Sequence, residues 1–108
     1  MLYIEGNTIR MTRGDTVYLT VPLMSTTEAY EMGSGDTLTL SVKRTERDTT
    51  YIFQKVSAGS NQFHIEPSDT ASLEFGKYKY DVQLNTSDGD VYTVIPPSFF
   101  ELLSEVTI

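Results

Sequence analysis

Asp88 and Asp90 flank Gly89, so a single turn would carry two carboxylates within reach of one cation or one water molecule. A calcium loop of the EF-hand kind needs further oxygen ligands and a terminal Glu, and that spacing is absent. Paired carboxylates that act as acid and base need a pocket holding their pKa values apart. Here the acids fall at turns or on outward strand positions, so a hydrolase built on Asp88 or Asp90 is not expected. A Ser or Thr nucleophile would need His64, the only histidine, as its base, together with an orienting acid. Phe63 and Ile65 point inward in an alternating strand, which sends His64 to the opposite face. No serine sits in a glycine elbow. The chain also lacks cysteine, zinc-ligand spacing, a glycine-rich phosphate loop and a dinucleotide fingerprint. The expectation is a protein that is not an enzyme and uses no cofactor or metal.

Two short motifs have a bland reading that fits better than a ligand-binding one. Arg13-Gly14-Asp15 spells an integrin-binding tripeptide, but it opens a strand. Gly14 then supplies positive φ and Asp15 a side-chain acceptor for the turn. Gly35-Asp36-Thr37 repeats the pattern before another strand, so the same local geometry is expected twice. Lys43, Arg44 and Arg47 form a basic cluster that reads as a solvated strand end and turn. With fifteen acidic against eight basic side chains, the net charge of −7 repels phosphate backbones, so nucleic acid is not an expected partner.

The elements that must position these residues are strands. A chain of 108 residues holds one core, so residues 1–108 read as a single domain. Hydrophobic residues at 39% exclude a disordered composition. The N-terminus lacks a basic region followed by an apolar run, and no stretch approaches the roughly 18 apolar residues of a membrane span, so a soluble chain with no membrane partner is expected. Period-two alternation recurs between Gly, Asp, Ser and Asn clusters. Asn7 to Thr12 reads as a first strand with Ile9 and Met11 inward. Thr16 to Leu23 places Val17, Leu19, Val21 and Leu23 on one face, and Thr37 to Lys43 turns Leu38, Leu40 and Val42 inward. Tyr51 to Val56 and Gln62 to Glu66 follow, joined by a hairpin at Ser57 to Asn61.

Met24 to Asp36 reads as an irregular polar loop, and Pro67 to Gly76 as one helical turn. Ser68 or Asp69 would cap that turn, Ala71 and Leu73 would pack below it, and Gly76 would end it. Lys77 to Leu84 alternates most cleanly, with Tyr78, Tyr80, Val82 and Leu84 on one face. Asp88-Gly89 then marks a hairpin to Val91–Ile95. Pro96-Pro97 is expected to stop that ladder, and Ser98 to Thr107 to resume as a strand that changes partner or sheet. In Ig-type sandwiches a tyrosine near the start of the penultimate strand pins its hydroxyl on the preceding turn, and Pro67 to Tyr78 has that layout. The fold class expected is all-β, an Ig-like antiparallel β-sandwich of about seven to eight strands with one short helical turn.

Gly6-Asn7-Thr8-Ile9 with Arg13-Gly14-Asp15-Thr16, the strand Asp36 to Lys43, and Gly76 to Leu84 followed by an Asp-Gly hairpin carry a resemblance across nearly the whole chain. Together they resemble small structural proteins of tailed phages and prophages of Gram-positive bacteria, in particular the N-terminal domain of baseplate upper proteins. The resemblance implies an Ig-like sandwich that assembles with other phage structural proteins in the virion, put together in the host bacterial cytoplasm. It implies no catalytic or metal residues. It departs from the baseplate proteins at Ile108, with no fibrous or receptor-binding region following, so a tail, baseplate, neck or decoration component or an adaptor is expected.

Open strand edges and a two-sided apolar run favour docking. In Phe99 to Ile108 apolar residues fall on both faces, and Phe99, Phe100, Leu102 and Leu103 are the expected partner-binding residues, toward phage proteins or further copies of the chain. The alternative is a carbohydrate or cell-surface binding module using exposed Tyr18, Tyr30 and Tyr92.

Overall fold

The computed structural model describes residues 2–25, 28–29 and 32–104. Its main element is a six-stranded mixed sheet. Two strands at the start, β1 (Leu2–Glu5) and β2 (Thr8–Thr12), form a hairpin through Gly6, whose φ of 60° closes the tight turn. β3 (Val17–Thr20) leaves this sheet, and a two-residue pair, β4 (Met24–Ser25) and β5 (Glu28–Ala29), follows. β6 (Thr37–Lys43) and β7 (Phe53–Ala58) return to the large sheet, while β8 (Gln62–Ile65) pairs with β3 in a small second sheet. One helical turn, α1 (Pro67–Thr70), precedes β9 (Gly76–Asn85) and β10 (Val91–Leu103). The order in the large sheet is β1-β2-β10-β9-β6-β7. The fold is all-β, as composition and alternation imply.

Alternation also predicts which side chains are buried. Val17, Leu19, Leu38, Leu40, Val42, Phe63, Ile65, Tyr78, Tyr80, Val82 and Leu84 all join one apolar cluster, which draws on both sheets. Burying a large apolar side chain stabilises by about 1.5–3 kcal/mol, so this inward stripe is what holds the sheets curled together. Two tyrosines enter the core because their hydroxyls find backbone acceptors. Tyr78 donates to the Glu74 carbonyl at 2.7 Å, and Tyr80 donates to the Asn7 carbonyl. Among the described residues no buried side-chain polar atom lacks a partner.

Several sequence expectations need correction. Ser57 to Asn61 is not a hairpin, because β7 pairs with β6 and β8 pairs with β3. It carries the chain from one sheet to the other, and positive φ at Gly59 serves that corner equally well. The sheet is mixed, not antiparallel throughout: β10 runs parallel to β2 from Phe100↔Ile9 to Leu103↔Thr12. Among the described residues ten strand segments stand where seven to eight are expected, since β1 and the β4–β5 pair fall in stretches without clear alternation. The strand expected at Tyr51 begins at Phe53.

Pro96 and Pro97 do not stop the β9–β10 ladder. Register shifts between Thr93 and Ile95 and again between Ile95 and Ser98 absorb them as bulges, so that Ile95 still opposes Val82 and Ser98 opposes Tyr80. Prolines are tolerated there because a bulge leaves residues outside the ladder and β2 reaches only Phe100 to Leu103 on the other side. The strand does acquire a second partner, β2, but only after the prolines. The N-cap of α1 is Glu66, neither Ser68 nor Asp69; Asp69 stands at the third helical position, where its carboxylate accepts from the Glu66 N–H at 2.8 Å as part of a capping box. Thr70 and Leu73 pack inward while Ala71 is exposed, and Gly76 opens β9 instead of ending the turn.

Candidate functional site

The outer face of the six-stranded sheet is where uncommitted chemistry collects. Its residues are the odd positions of β9 (Lys77, Lys79, Asp81, Gln83) with their cross-strand neighbours Thr39, Ser41 and Lys43 of β6 and Phe99 and Glu101 of β10. Two troughs lie on it. The first, about 420 Å³, is lined by Thr39, Ser41, Gln54, Asp81 and Gln83, with Tyr51 and Pro97 as its less polar walls. Its charges balance: Lys43 and Lys79 against Glu46 and Asp81. Burial raises the Asp81 carboxyl above the usual Asp range, and the Lys43 ammonium opposes this in part. The second, about 580 Å³, is cationic, lined by Arg44, Arg47, Lys77 and Lys79 around Phe99, with Glu46 as its acid. A 3.3 Å ion pair between Lys79 and Glu46 divides the two troughs.

Phe99 is flanked on this face by cations. The Lys79 ammonium lies 4.0 Å from its ring centroid and that of Lys77 5.6 Å, while the ring stays 45% exposed. Its neighbours in sequence go the other way. Phe100 and Leu102 are core residues, with Phe100 packed edge-on to Phe53 and Tyr80, so neither has surface to offer a partner. Leu103 is half-buried on the outer face beside Thr12. Of the four residues read as partner-binding, Phe99 and Leu103 are therefore the two that face outward. Residues 105–108 of that run lie outside the described residues.

The remaining candidates are positioned by turns. The Arg13 guanidinium donates to the Leu73 carbonyl at 2.9 Å and lies 4.3 Å from the Phe75 ring, and Gly14, at φ 82°, donates its N–H to Thr70 Oγ1 at 2.8 Å. The tripeptide thus ties the first loop to α1. Gly14 and Gly35 both have positive φ, and the N–H of the following Asp bonds back three residues in each case, so the local geometry recurs. Asp36 also joins two loops. It is buried, and its carboxylate accepts from Gly33 N–H at 3.0 Å and Ser87 N–H at 2.9 Å. That bridge between distant loops had no sequence signal beyond the Gly-Asp pair.

Asp88 and Asp90 sit exposed on the β9–β10 hairpin, and among the described residues no three His, Cys, Asp or Glu side chains are grouped to hold a metal ion. His64 is exposed on the outer face of the small sheet, stacked on Tyr18 at 4.5 Å and 8°. Tyr92 is exposed beside the hairpin, and Tyr30 lies outside the described residues. Among the described residues no helix is long and apolar enough to cross a membrane. Compared with known proteins, the chain matches no family model, no curated sequence and no solved structure. The outer face itself, with Lys77, Lys79 and Phe99 added to Lys43, Arg44 and Arg47, was not readable from either stretch of sequence alone.

Proposed function

We propose that this chain is a non-enzymatic docking domain with an Ig-like sandwich architecture, serving as a structural or assembly component of a phage or prophage virion. In the Ig reading β3 and β8 take the places of strands B and E, and β6, β7, β9 and β10 those of C, C′, F and G. A variable-type domain likewise extends its GFC sheet with C′, and a tyrosine at the start of strand F likewise bonds to backbone just upstream, as Tyr78 does to Glu74. The antibody disulfide and tryptophan have no counterpart, since the chain has neither Cys nor Trp. The observation that carries the docking reading is the outer face: an aromatic ring kept exposed among cations in a chain whose core is otherwise complete. Interfaces are enriched in aromatic and Arg side chains that anchor in such positions.

The resemblance to phage structural proteins supplies the virion context. Mass spectrometry of purified particles tests it directly: peptides of this chain at stoichiometric yield are expected, and particles free of them overturn the assignment. A second reading, a carbohydrate or cell-surface binding module, is favoured by the charge-balanced trough, whose hydroxyl, amide and carboxylate groups face an aromatic wall at Tyr51. Saturable binding on a glycan array, lost on Tyr51→Ala, is its expected signature, and a blank array removes it.

A further inference from the structure

The outer face is polar from end to end in the electrical sense. At the Lys43↔Lys79 end of the register stand Lys43, Arg44, Arg47, Lys77 and Lys79, five of the chain's eight basic side chains. They outnumber the acids there. Glu46 lies 3.3 Å from Lys79, Glu74 is 3.9 Å from Arg44, Asp48 accepts from its own loop at Thr45 N–H, and Glu101, opposite Lys77, is paired with Arg10 at 3.0 Å. Exposed Phe99 sits among them. At the Thr37↔Asn85↔Val91 end stands the β9–β10 hairpin, with Asp88 and Asp90 exposed and Val91 exposed beside them on this face, whereas Tyr92, opposite the core residue Leu84, belongs to the other face. No Lys or Arg follows Lys79 in the sequence, so nothing in that hairpin offsets its acids. Each end therefore pairs exposed apolar surface with charge, and the two charges are opposite.

We infer that the basic end docks the acidic end of a second copy of this chain, two copies laying outer face on outer face with their strands antiparallel. Val91 opposes Asn85 and Phe99 opposes Lys79, which places both ends on one face, about 20 Å apart along β9. Two-fold packing then makes the same complementary contact twice and closes on itself, the commonest arrangement of homo-oligomers. A two-fold axis brings like to like at its centre. The middle of this face tolerates that, because the trough there carries balanced charge. The four strands that share that length, β10, β9, β6 and β7, lie about 4.8 Å apart and cover about 400 Å² per copy, below the roughly 800 Å² of a standard interface. The dimer is thus weak, concentration-dependent and salt-sensitive. This inference rests on the docking reading and names its partner.

Sedimentation velocity on the full chain, over a concentration series at low and high salt, tests it. The wild type is expected to approach twice its monomer mass at low salt and to dissociate at high salt. Arg44→Glu/Arg47→Glu and Asp88→Lys/Asp90→Lys, all on exposed loops, are each expected to weaken self-association by about tenfold or more, with circular dichroism unchanged. An equimolar mixture of the two variants is expected to recover the dimer, since each reversed end then meets an opposite charge. A wild type that stays monomeric, variants that associate like the wild type, or a mixture that stays apart overturns the inference. A monomer found stoichiometrically in purified particles leaves the docking proposal standing, whereas a dimer absent from particles removes the virion role and keeps the self-contact.

Discussion

Replacing Asp36 by Ala removes a buried carboxylate that bridges two loops distant in sequence. Its oxygens accept from Gly33 N–H at 3.0 Å and Ser87 N–H at 2.9 Å, joining the turn before β6 to the β9–β10 hairpin. A hydrogen bond to a charged group contributes about 1.5–3 kcal/mol, and both donors are left without this acceptor, so the expected loss is about 3–5 kcal/mol. Small domains have about 5–15 kcal/mol in total, which makes this a large fraction. The melting temperature should fall by on the order of 20 °C. The backbone bond from Gly59 N–H to the Asp36 carbonyl survives the substitution, so the third loop stays tied. Asp36→Asn keeps one acceptor oxygen and turns an NH₂ group toward the other donor, so about half the loss is expected. Urea titrations followed by far-ultraviolet circular dichroism measure both variants. An Ala variant within about 1 kcal/mol of the wild type, against the range given for charged hydrogen bonds, would refute the bridge as a source of stability.

Three further outcomes are expected from the same packing and hydrogen bonding. Gly35→Ala should destabilise more than Gly14→Ala: both positions have positive φ, but a Cβ at Gly35 would lie 2.9 Å from Ser87 Cβ while Gly14 faces open space, and Ser87→Gly should return part of the difference. Burial pushes the Tyr80 hydroxyl up to about 12, above its ordinary 10.0, so the stability it contributes is fully present below pH 10 and is lost as pH rises toward 12. Alkaline unfolding followed by tyrosinate absorbance should therefore be steep in that window, and Tyr80→Phe should flatten it while costing about 1 kcal/mol at neutral pH for the lost bond to Asn7. Phe100→Ala should cost about 3–5 kcal/mol as a core cavity. Phe99→Ser should stay within about 1 kcal/mol, being a surface change, and equal losses in chemical denaturation would contradict the assignment of faces.

How far the sequence could be read depends on the range of the physics involved. Every residue named as inward in the strands Thr37 to Lys43 and Lys77 to Leu84 is buried, because face is set locally by the pleat and needs no knowledge of the partner strand. The glycine turns at Gly14, Gly35 and Gly89 were legible for the same reason, since positive φ is a property of one residue. Pairing was less so. The loop Ser57 to Asn61 has good hairpin composition yet crosses between sheets, because composition describes a corner and not which strands it joins. Phe99 and Phe100 are adjacent and chemically identical, and only the β10 register, reset by two bulges, sends one to the core and the other to the surface.

The candidate site is the extreme case. Local alternation determined an all-β chain with a single buried stripe, and its excess of acids was plain from composition. Lys43, Arg44 and Arg47 read by themselves as a solvated turn. Only the antiparallel docking of β9 against β6 sets Lys77 and Lys79 beside them, and only β10 adds Phe99. A charged face is a sum over strands brought together by long-range pairing, and no stretch of one strand contains that sum.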